Sequence, residues 1–388
     1  MNWKISLSDL DIGQEEIAAV TEVLQSKWLT MGPVTQDFET AFAQYLGVKH
    51  AFAVANCTAA LHIAHQVLGA GPDDEIISPA LTFVATANSI LYTGATPVFA
   101  DVTSLDDLNV SPENILSRIT PKTKGISVVH YAGYPCDMER VMQIAQEHNL
   151  YVVEDVAHAP GANLNGKKLG TFGQIGCFSF FSNKNLVTGE GGMVVTNDDE
   201  LAEKIKRVRS HGMTSLTWDR HKGHAYAYDV TDLGYNYRID EIRAAIGLVQ
   251  LKKLEQNNEL RATAVETYHK MLHDVEELTI PFSDYRGHSS HHIFPVVLAP
   301  GVDTNQFRTD LREQGIQTSM HYPPVHLFSH YQEKFGYTRG LLPVTEEISE
   351  REVTLPLYPT LESESIAYIV NAIRAALKRQ KQVPVIQP

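Results

Sequence analysis

The sequence predicts an α/β protein built on a largely parallel seven-stranded sheet covered by helices on both faces. Two observations carry this. Seven short β-rich runs, at 50–55, 75–79, 96–102, 125–130, 151–155, 175–181 and 192–196, punctuate the first half of the chain. Most are separated by segments long enough for a crossover helix, which parallel neighbours require. The last two runs lie too close together for a full crossover, so that pair is expected to be antiparallel.

The flanking elements follow in order. Ahead of the sheet, 15–24 and 34–46 read as amphipathic helices broken at Gly32-Pro33, placed at the surface or at a subunit contact. After it, Ile239, Ile242, Ile246 and Val249 recur at spacings of three and four, giving one apolar face to a helix that continues toward Ala262 and bridges two domains. From about His291 a smaller α+β set begins: a strand at 293–298, a helix at 305–314, an extended stretch to Tyr322, a proline-rich loop and a last helix at 362–378. A disordered tail is expected beyond it. The division expected is a large domain over 1–250, including the N-terminal helices, and a small C-terminal domain over 251–388.

Bulk composition narrows the partners. The chain has 388 residues, 43% hydrophobic and 20% charged, enough apolar material for a large core. A formal net charge of -14, with basic residues concentrated only at Lys378-Arg379-Gln380-Lys381, argues against nucleic acid as a partner. No apolar run has the length of a signal peptide or a membrane span, so no membrane partner is expected and the cytoplasm is the expected compartment. The three cysteines, Cys57, Cys136 and Cys177, fit neither a disulfide framework nor a zinc site. His288, His291 and His292 have no carboxylate or cysteine at ligand spacing, and strand neighbours point to opposite faces, so no metal site is expected.

The residues that could carry chemistry centre on Lys184, in the stretch from Phe178 to Gly192 between an apolar run and glycines. An amine held out of water there loses its proton near neutral pH and can attack a carbonyl. Lys167 and Lys168 sit in a polar turn and make poorer nucleophiles. Asn56-Cys57-Thr58-Ala59 falls where a strand gives way to a helix, a placement suited either to phosphate or to a plain N-cap. Asp155 closes a central strand at its carboxyl end, where α/β sheets place their ligands, while Glu154 alternates to the other face. A buried carboxylate needs a cationic or donor partner, and a protonated pyridine nitrogen would serve. His158 follows one turn later; on residue type alone it is an ordinary structural histidine. Phe83, in an apolar run, reads as core or as a ring that stacks on a flat cofactor. Ser179 alternates with Phe178 and Phe180 and faces away from them.

Taken in order, these features resemble the DegT/StrS group of nucleotide-sugar aminotransferases, among the pyridoxal-phosphate enzymes of fold type I. The resemblance runs from Trp28-Leu29-Thr30-Met31-Gly32-Pro33 to Leu355-Pro356-Leu357-Tyr358-Pro359, through Val129-His130-Tyr131-Ala132-Gly133, Gly234-Tyr235-Asn236-Tyr237-Arg238 and His321-Tyr322-Pro323-Pro324. It implies that Lys184 joins the cofactor, pyridoxal 5'-phosphate, as a Schiff base and shuttles protons, with Asp155 on the pyridine nitrogen. His158 sits beside the ring and Phe83 stacks on it. Cys57, Thr58, Ala59 and Ser179 bind phosphate, and Asn236 reaches that phosphate from the neighbouring subunit of a homodimer.

The resemblance further implies L-glutamate as donor, a nucleotide-linked keto-sugar as acceptor and a ping-pong cycle, with Tyr131, Arg238, His321 and His326 as substrate contacts by position. Family members with histidine in place of the lysine are dehydratases; Lys184 favours transamination. A glutamine-dependent cyclitol aminotransferase and a non-catalytic cofactor-binding regulator are the alternatives. Substrate choice is expected to rest on loops at 220–228 and 323–331.

Overall fold

A computed structural model of the chain describes residues 3–215, 227–285 and 287–382. Its centre is a sheet of β1 (His50–Val54), β2 (Glu75–Pro79), β3 (Thr96–Ala100), β4 (Thr123–Val129) and β5 (Tyr151–Asp155), completed after a small hairpin, β6 (Asn163–Leu164) and β7 (Lys167–Lys168), by β8 (Ile175–Ser179) and β9 (Gly192–Thr196). The order across the sheet is β1-β9-β8-β5-β4-β2-β3. Strands β8, β5, β4, β2 and β3 pair in parallel, whereas β9 runs against both its neighbours. The short connection from β8 to β9 explains the reversal, as the sequence required. That β9 pairs with β1, a strand more than a hundred residues earlier, was not visible in the spacing.

Around this sheet lie α1 (Gln14–Ser26), α2 (Pro33–Leu46), α3 (Cys57–Val67), α4 (Ala85–Tyr92), α5 (Pro112–Ser117), α6 (Met138–Glu147) and α7 (Asp199–Val208). Both faces are covered, so β5, β8 and β9 are buried along their whole length rather than in alternation. On one face α2 drives Phe38 and Phe42, both fully buried, against Phe178 and Phe180; the Phe42 and Phe178 rings meet edge to face at 5.0 Å. Helix α2 is thus an amphipathic surface helix, with its Phe38 and Phe42 face packed on the sheet and Gln36, Asp37 and Gln44 exposed, and truncating Phe42 to alanine should cost about 3–5 kcal/mol. On the other face α3 packs Leu61 and Ala64 over Val153, Cys177 and Val194.

Helix α8 (Glu241–Leu272) runs 32 residues, ten beyond the expected end. At its start the Glu241 carboxylate accepts the backbone N–H groups of Gly32, Val34 and Thr35 and the Thr35 hydroxyl, tying its N-terminus to that of α2. Ala244 and Leu254 pack into the sheet's cluster, whereas Ala264, Val265, Tyr268 and Leu272 join a second cluster with Phe294, Phe307 and Ile373. The helix continues past 262 because that second apolar surface receives it.

The second cluster belongs to β10 (Leu278–Thr279), β11 (Phe294–Leu298) and β12 (Glu352–Leu355), an antiparallel sheet, with α9 (Thr304–Glu313) and, after α10 (Ser329–Phe335) and α11 (Pro343–Arg351), whose Tyr331 and Ile348 pack instead with Phe99 and Tyr131, α12 (Ser363–Gln382). Ile5 returns to this unit, bridging to Ile316. The basic stretch from Lys378 to Lys381 is helical, the end of α12, not a disordered tail. Residues 383–388, and 220–226 of the expected specificity loop, lie outside the described residues. Among the described residues no helix is long and apolar enough to cross a membrane.

Candidate active site

A cavity of about 450 Å³ opens at the carboxyl edge of β4, β5 and β8, walled by Val129, Asp155 and Ser179 from the strand ends, Cys57 and Thr58 from the start of α3, and His321 and Tyr322 from the C-terminal unit. This is where a doubly wound sheet presents ligands, because the loops after parallel strands all leave from one edge.

Lys184 enters from the turn that follows β8, its backbone N–H donating to the Phe181 carbonyl at 2.9 Å. Burial of its ammonium pulls the pKa from 10.5 down to about 8, although the charges of Asp155 and Cys57 act the other way. Roughly a tenth of the amine is then neutral at pH 7, far more than for a solvated lysine. Its competitors are engaged elsewhere: Lys168 pairs with Glu255 at 2.7 Å and Lys167 lies over the Phe172 ring.

Asp155 is buried on the cavity floor, where it accepts the Thr86 hydroxyl at 2.9 Å and the Ala157 N–H at 3.1 Å. Burial raises its pKa; those two donors and Lys184 oppose the rise. His158 is buried beside it, Nε2 at 2.9 Å from the Tyr322 hydroxyl and Nδ1 accepting the Ala132 N–H at 3.3 Å. Burial and then the Lys184 charge push the pKa values of His158 and His292 well down, and that of His321 to about 4, so all three imidazoles around the lysine are neutral. Phe83 is 58% exposed at the mouth, which removes the core reading and leaves a ring free to cover a flat ligand.

At α3 both readings of the strand-to-helix junction hold. Asn56 caps the helix, its Oδ1 accepting the Ala59 N–H at 2.8 Å, while Cys57 and Thr58 face the cavity from the positive end of the helix. Ala59 gives its N–H to the cap and does not line the cavity.

Comparison with known proteins decides the class. The DegT/DnrJ/EryC1/StrS aminotransferase family model matches residues 10–374. The chain belongs to the DegT/DnrJ/EryC1/StrS aminotransferase family. It is 40% identical over 372 residues to the spore coat polysaccharide biosynthesis protein SpsC of Bacillus subtilis, covering 95% of each chain. It is 39% identical to an uncharacterised protein of Methanocaldococcus jannaschii, covering 95% of this chain and 97% of that one. Among solved structures, Helicobacter pylori PseC, an aminotransferase involved in the biosynthesis of pseudoaminic acid, superposes with a TM-score of 0.91 at 34% identity, covering 97% and 99% of the two chains.

A Streptococcus pneumoniae relative, the putative sugar aminotransferase Spr1654, is known in forms with pyridoxal phosphate and with its amino counterpart, at 27% identity and a TM-score of 0.90, covering 98% and 100% of the two chains in the former. This aminotransferase is accordingly a pyridoxal-phosphate enzyme, and its cavity suits the group. A buried carboxylate with two donors wants a cation, a helix N-terminus with a hydroxyl wants a phosphate, and a depressed lysine wants a carbonyl.

The aminotransferase's other predicted residues separate. Ser179 and His321 line the cavity. Tyr131 is fully buried behind it and donates its hydroxyl to the His321 carbonyl, supporting the wall rather than forming it. His326 lies outside the cavity, buried at 3.0 Å from Glu346 Oε1 and beside the Phe99 ring. Arg238 bridges to Val54 and exposed Asn236 to Ser210; neither lines this cavity. The sequence reading missed Thr86, Tyr322 and His292 as site residues. Tyr322 stood inside a recognised motif, but only the tertiary fold brings Thr86, at the start of α4, to Asp155. His291 and His292 do diverge, the former to Tyr134 and the latter to Lys184.

Proposed function

We propose that this aminotransferase moves an amino group from L-glutamate to a keto-sugar carried on a nucleotide, in two half-reactions that use one cavity in turn, within amino-sugar or polysaccharide biosynthesis. The observation that carries the reading is a lysine held near pKa 8 opposite a buried carboxylate at the sheet's carboxyl edge. Relatives named for spore coat polysaccharide and for pseudoaminic acid supply the sugar direction.

When bound, pyridoxal phosphate supplies an aldehyde for amines and a cationic ring that draws electrons from the carbon losing its proton. The chain's residues divide the remaining work. Asp155, fixed by Thr86 and Ala157, holds the ring nitrogen protonated. Cys57, Thr58 and Ser179 take the phosphate, with the α3 N-terminus adding its dipole. Phe83 covers one side of the ring site and His158 the other. Lys184, partly neutral at pH 7, forms the covalent link and, when released, moves the proton at Nζ. His321 faces the substrate space, and Tyr131 fixes its backbone. Asn236 would serve a second copy's phosphate, making the enzyme a homodimer with shared sites, and the cytoplasm its place of work.

Borohydride reduction followed by peptide mapping tests the link: a phosphopyridoxyl label on Lys184 is expected, and a label on another lysine rejects the assignment. Running the reverse reaction with 2-oxoglutarate against UDP-, dTDP- and GDP-linked amino sugars then tests donor and acceptor. Turnover with none of them, alongside turnover of a cyclitol amine, would replace the sugar reading.

A further inference from the structure

His292 is the one member of the histidine cluster whose surroundings are determined atom by atom, and they end at the lysine. The chain of hydrogen bonds begins at two backbone carbonyls, which can only accept. Asn258, on α8, gives its Nδ2 to the Pro160 carbonyl at 3.0 Å, so its Oδ1 is the acceptor facing Asn185. Asn185 gives its Nδ2 to that Oδ1 at 2.8 Å and to the Ser290 carbonyl at 2.7 Å. Its Oδ1 is therefore an acceptor, 3.0 Å from His292 Nδ1, and the imidazole proton must sit on Nδ1. The remaining nitrogen, Nε2, carries a bare lone pair 3.3 Å from Lys184 Nζ. All three partners are buried, and His292 is further held by its N–H to the Ala132 carbonyl at 2.9 Å.

We propose that His292 is a positioning residue for Lys184: a neutral imidazole, locked by Asn185 and Asn258 with Nε2 toward the cavity, that receives an N–H of the lysine amine whenever the amine is not joined to the cofactor. One N–H of Nζ is thereby committed to His292, and the amine is held in one place while it is free between the two half-reactions. Asp155, Cys57, His158, His292 and His321 are the titratable groups that face Lys184; of these only His292 is hydrogen-bonded to it. A neutral acceptor stabilises the ammonium more than the amine, so losing it lowers the lysine pKa further. The inference rests on Lys184 being the attachment lysine, as proposed above.

The test uses the holoenzyme converted to its pyridoxamine form, in which the attachment lysine is free. Competitive acylation with acetic anhydride, read by peptide mass, reports the pH midpoint of Lys184. In His292→Leu that midpoint should fall by about one pH unit, and the return of the imine absorbance after a 2-oxo acid is added should slow by about tenfold. His292→Gln, whose amide oxygen replaces the Nε2 acceptor, should restore both.

Should His292→Leu fail to fold, Asn185→Ser carries the test, since it frees the Nδ1 proton and lets Nε2 become a donor; its midpoint should also fall. A wild-type midpoint and return rate in the folded variant would overturn the proposal and make His292 a packing residue. Borohydride labelling of the resting wild-type enzyme separates the two readings: a label away from position 184 ends the attachment assignment, whereas a label on Lys184 with unmoved midpoints ends only the role of His292.

Discussion

Glu154 and Asp155 are adjacent, both buried and both on β5, yet the two faces of one strand give them opposite occupations. Glu154 is closed by the chain: its carboxylate meets His130 Nε2 at 3.1 Å and accepts the N–H groups of Gly170, Phe172 and Gly173 at 2.6–2.8 Å. Gly170 is needed there, because the loop turns at a φ of 88° and a Cβ would stand 2.6 Å from the Phe178 ring. Among the described residues the Asp155 carboxylate accepts one hydroxyl and one N–H, and its open side looks into the cavity toward Lys184. A buried charge that the fold satisfies completely is architecture. One left with capacity to spare, facing a cavity, is available to a ligand.

The largest effect that sharpens this contrast comes from removing the cation opposite the open carboxylate. Lys184→Met should abolish transamination, a loss beyond about 10⁴-fold. In the cofactor-free protein it should also be stabilising by about 2–3 kcal/mol at pH 7, because an ammonium depressed from 10.5 to about 8 is a folding penalty. The sign follows from proton counts: below about pH 8 both folded and unfolded wild type hold the proton and the penalty is full. Between about 8 and 10.5 the folded chain has released it first, so the wild type gains on the variant as pH rises. Urea titrations across that range measure the gap; a gap that widens with pH contradicts the depressed lysine.

Next in size, Asp155→Asn should keep the fold and lose about 10²–10³-fold in kcat, as an amide cannot hold a pyridine nitrogen cationic. Glu154→Gln should do the reverse: roughly 2–4 kcal/mol of stability lost, seen in the denaturation midpoint, with kcat of the folded fraction changed less than about threefold. If the two variants exchanged these signatures, the division of labour across β5 would be wrong. The smallest expected effect is Thr86→Val, which removes one of the two donors to Asp155. It should cost about 1 kcal/mol of stability and a few-fold in kcat, and steady-state kinetics with thermal melts would show it.

Much of the site was legible because it is written locally. A lysine between an apolar run and glycines, a carboxylate at a strand end, and a polar turn opening a helix each depend on neighbours a few residues away. Alternation assigned Glu154 and Asp155 to opposite faces and Ser179 away from Phe178 and Phe180, and the sheet keeps those assignments. What local pattern misjudged was burial. Phe83 stands exposed although its run is apolar, since exposure is set by what packs on top and not by the residue's own run. His326 stood beside a recognised motif and Tyr131 inside one, but packing turned the first toward Glu346 and set the second behind the cavity wall.

By itself the sequence determined the alternation of strands and helices and the reversed hairpin-like pair β8 and β9, and it singled out Lys184 and Asp155 as candidates for the chemistry, because periodicity and spacing act over one element at a time. Only the tertiary structure decided that β9 joins β1, that Thr86 reaches Asp155 across 69 positions, and that Asn258, Asn185 and His292 line up behind Lys184 across 73 and 107. Contacts of that separation arise from how layers stack, and a hydrogen-bond donor's target is fixed by the geometry of two surfaces that no single stretch of chain contains.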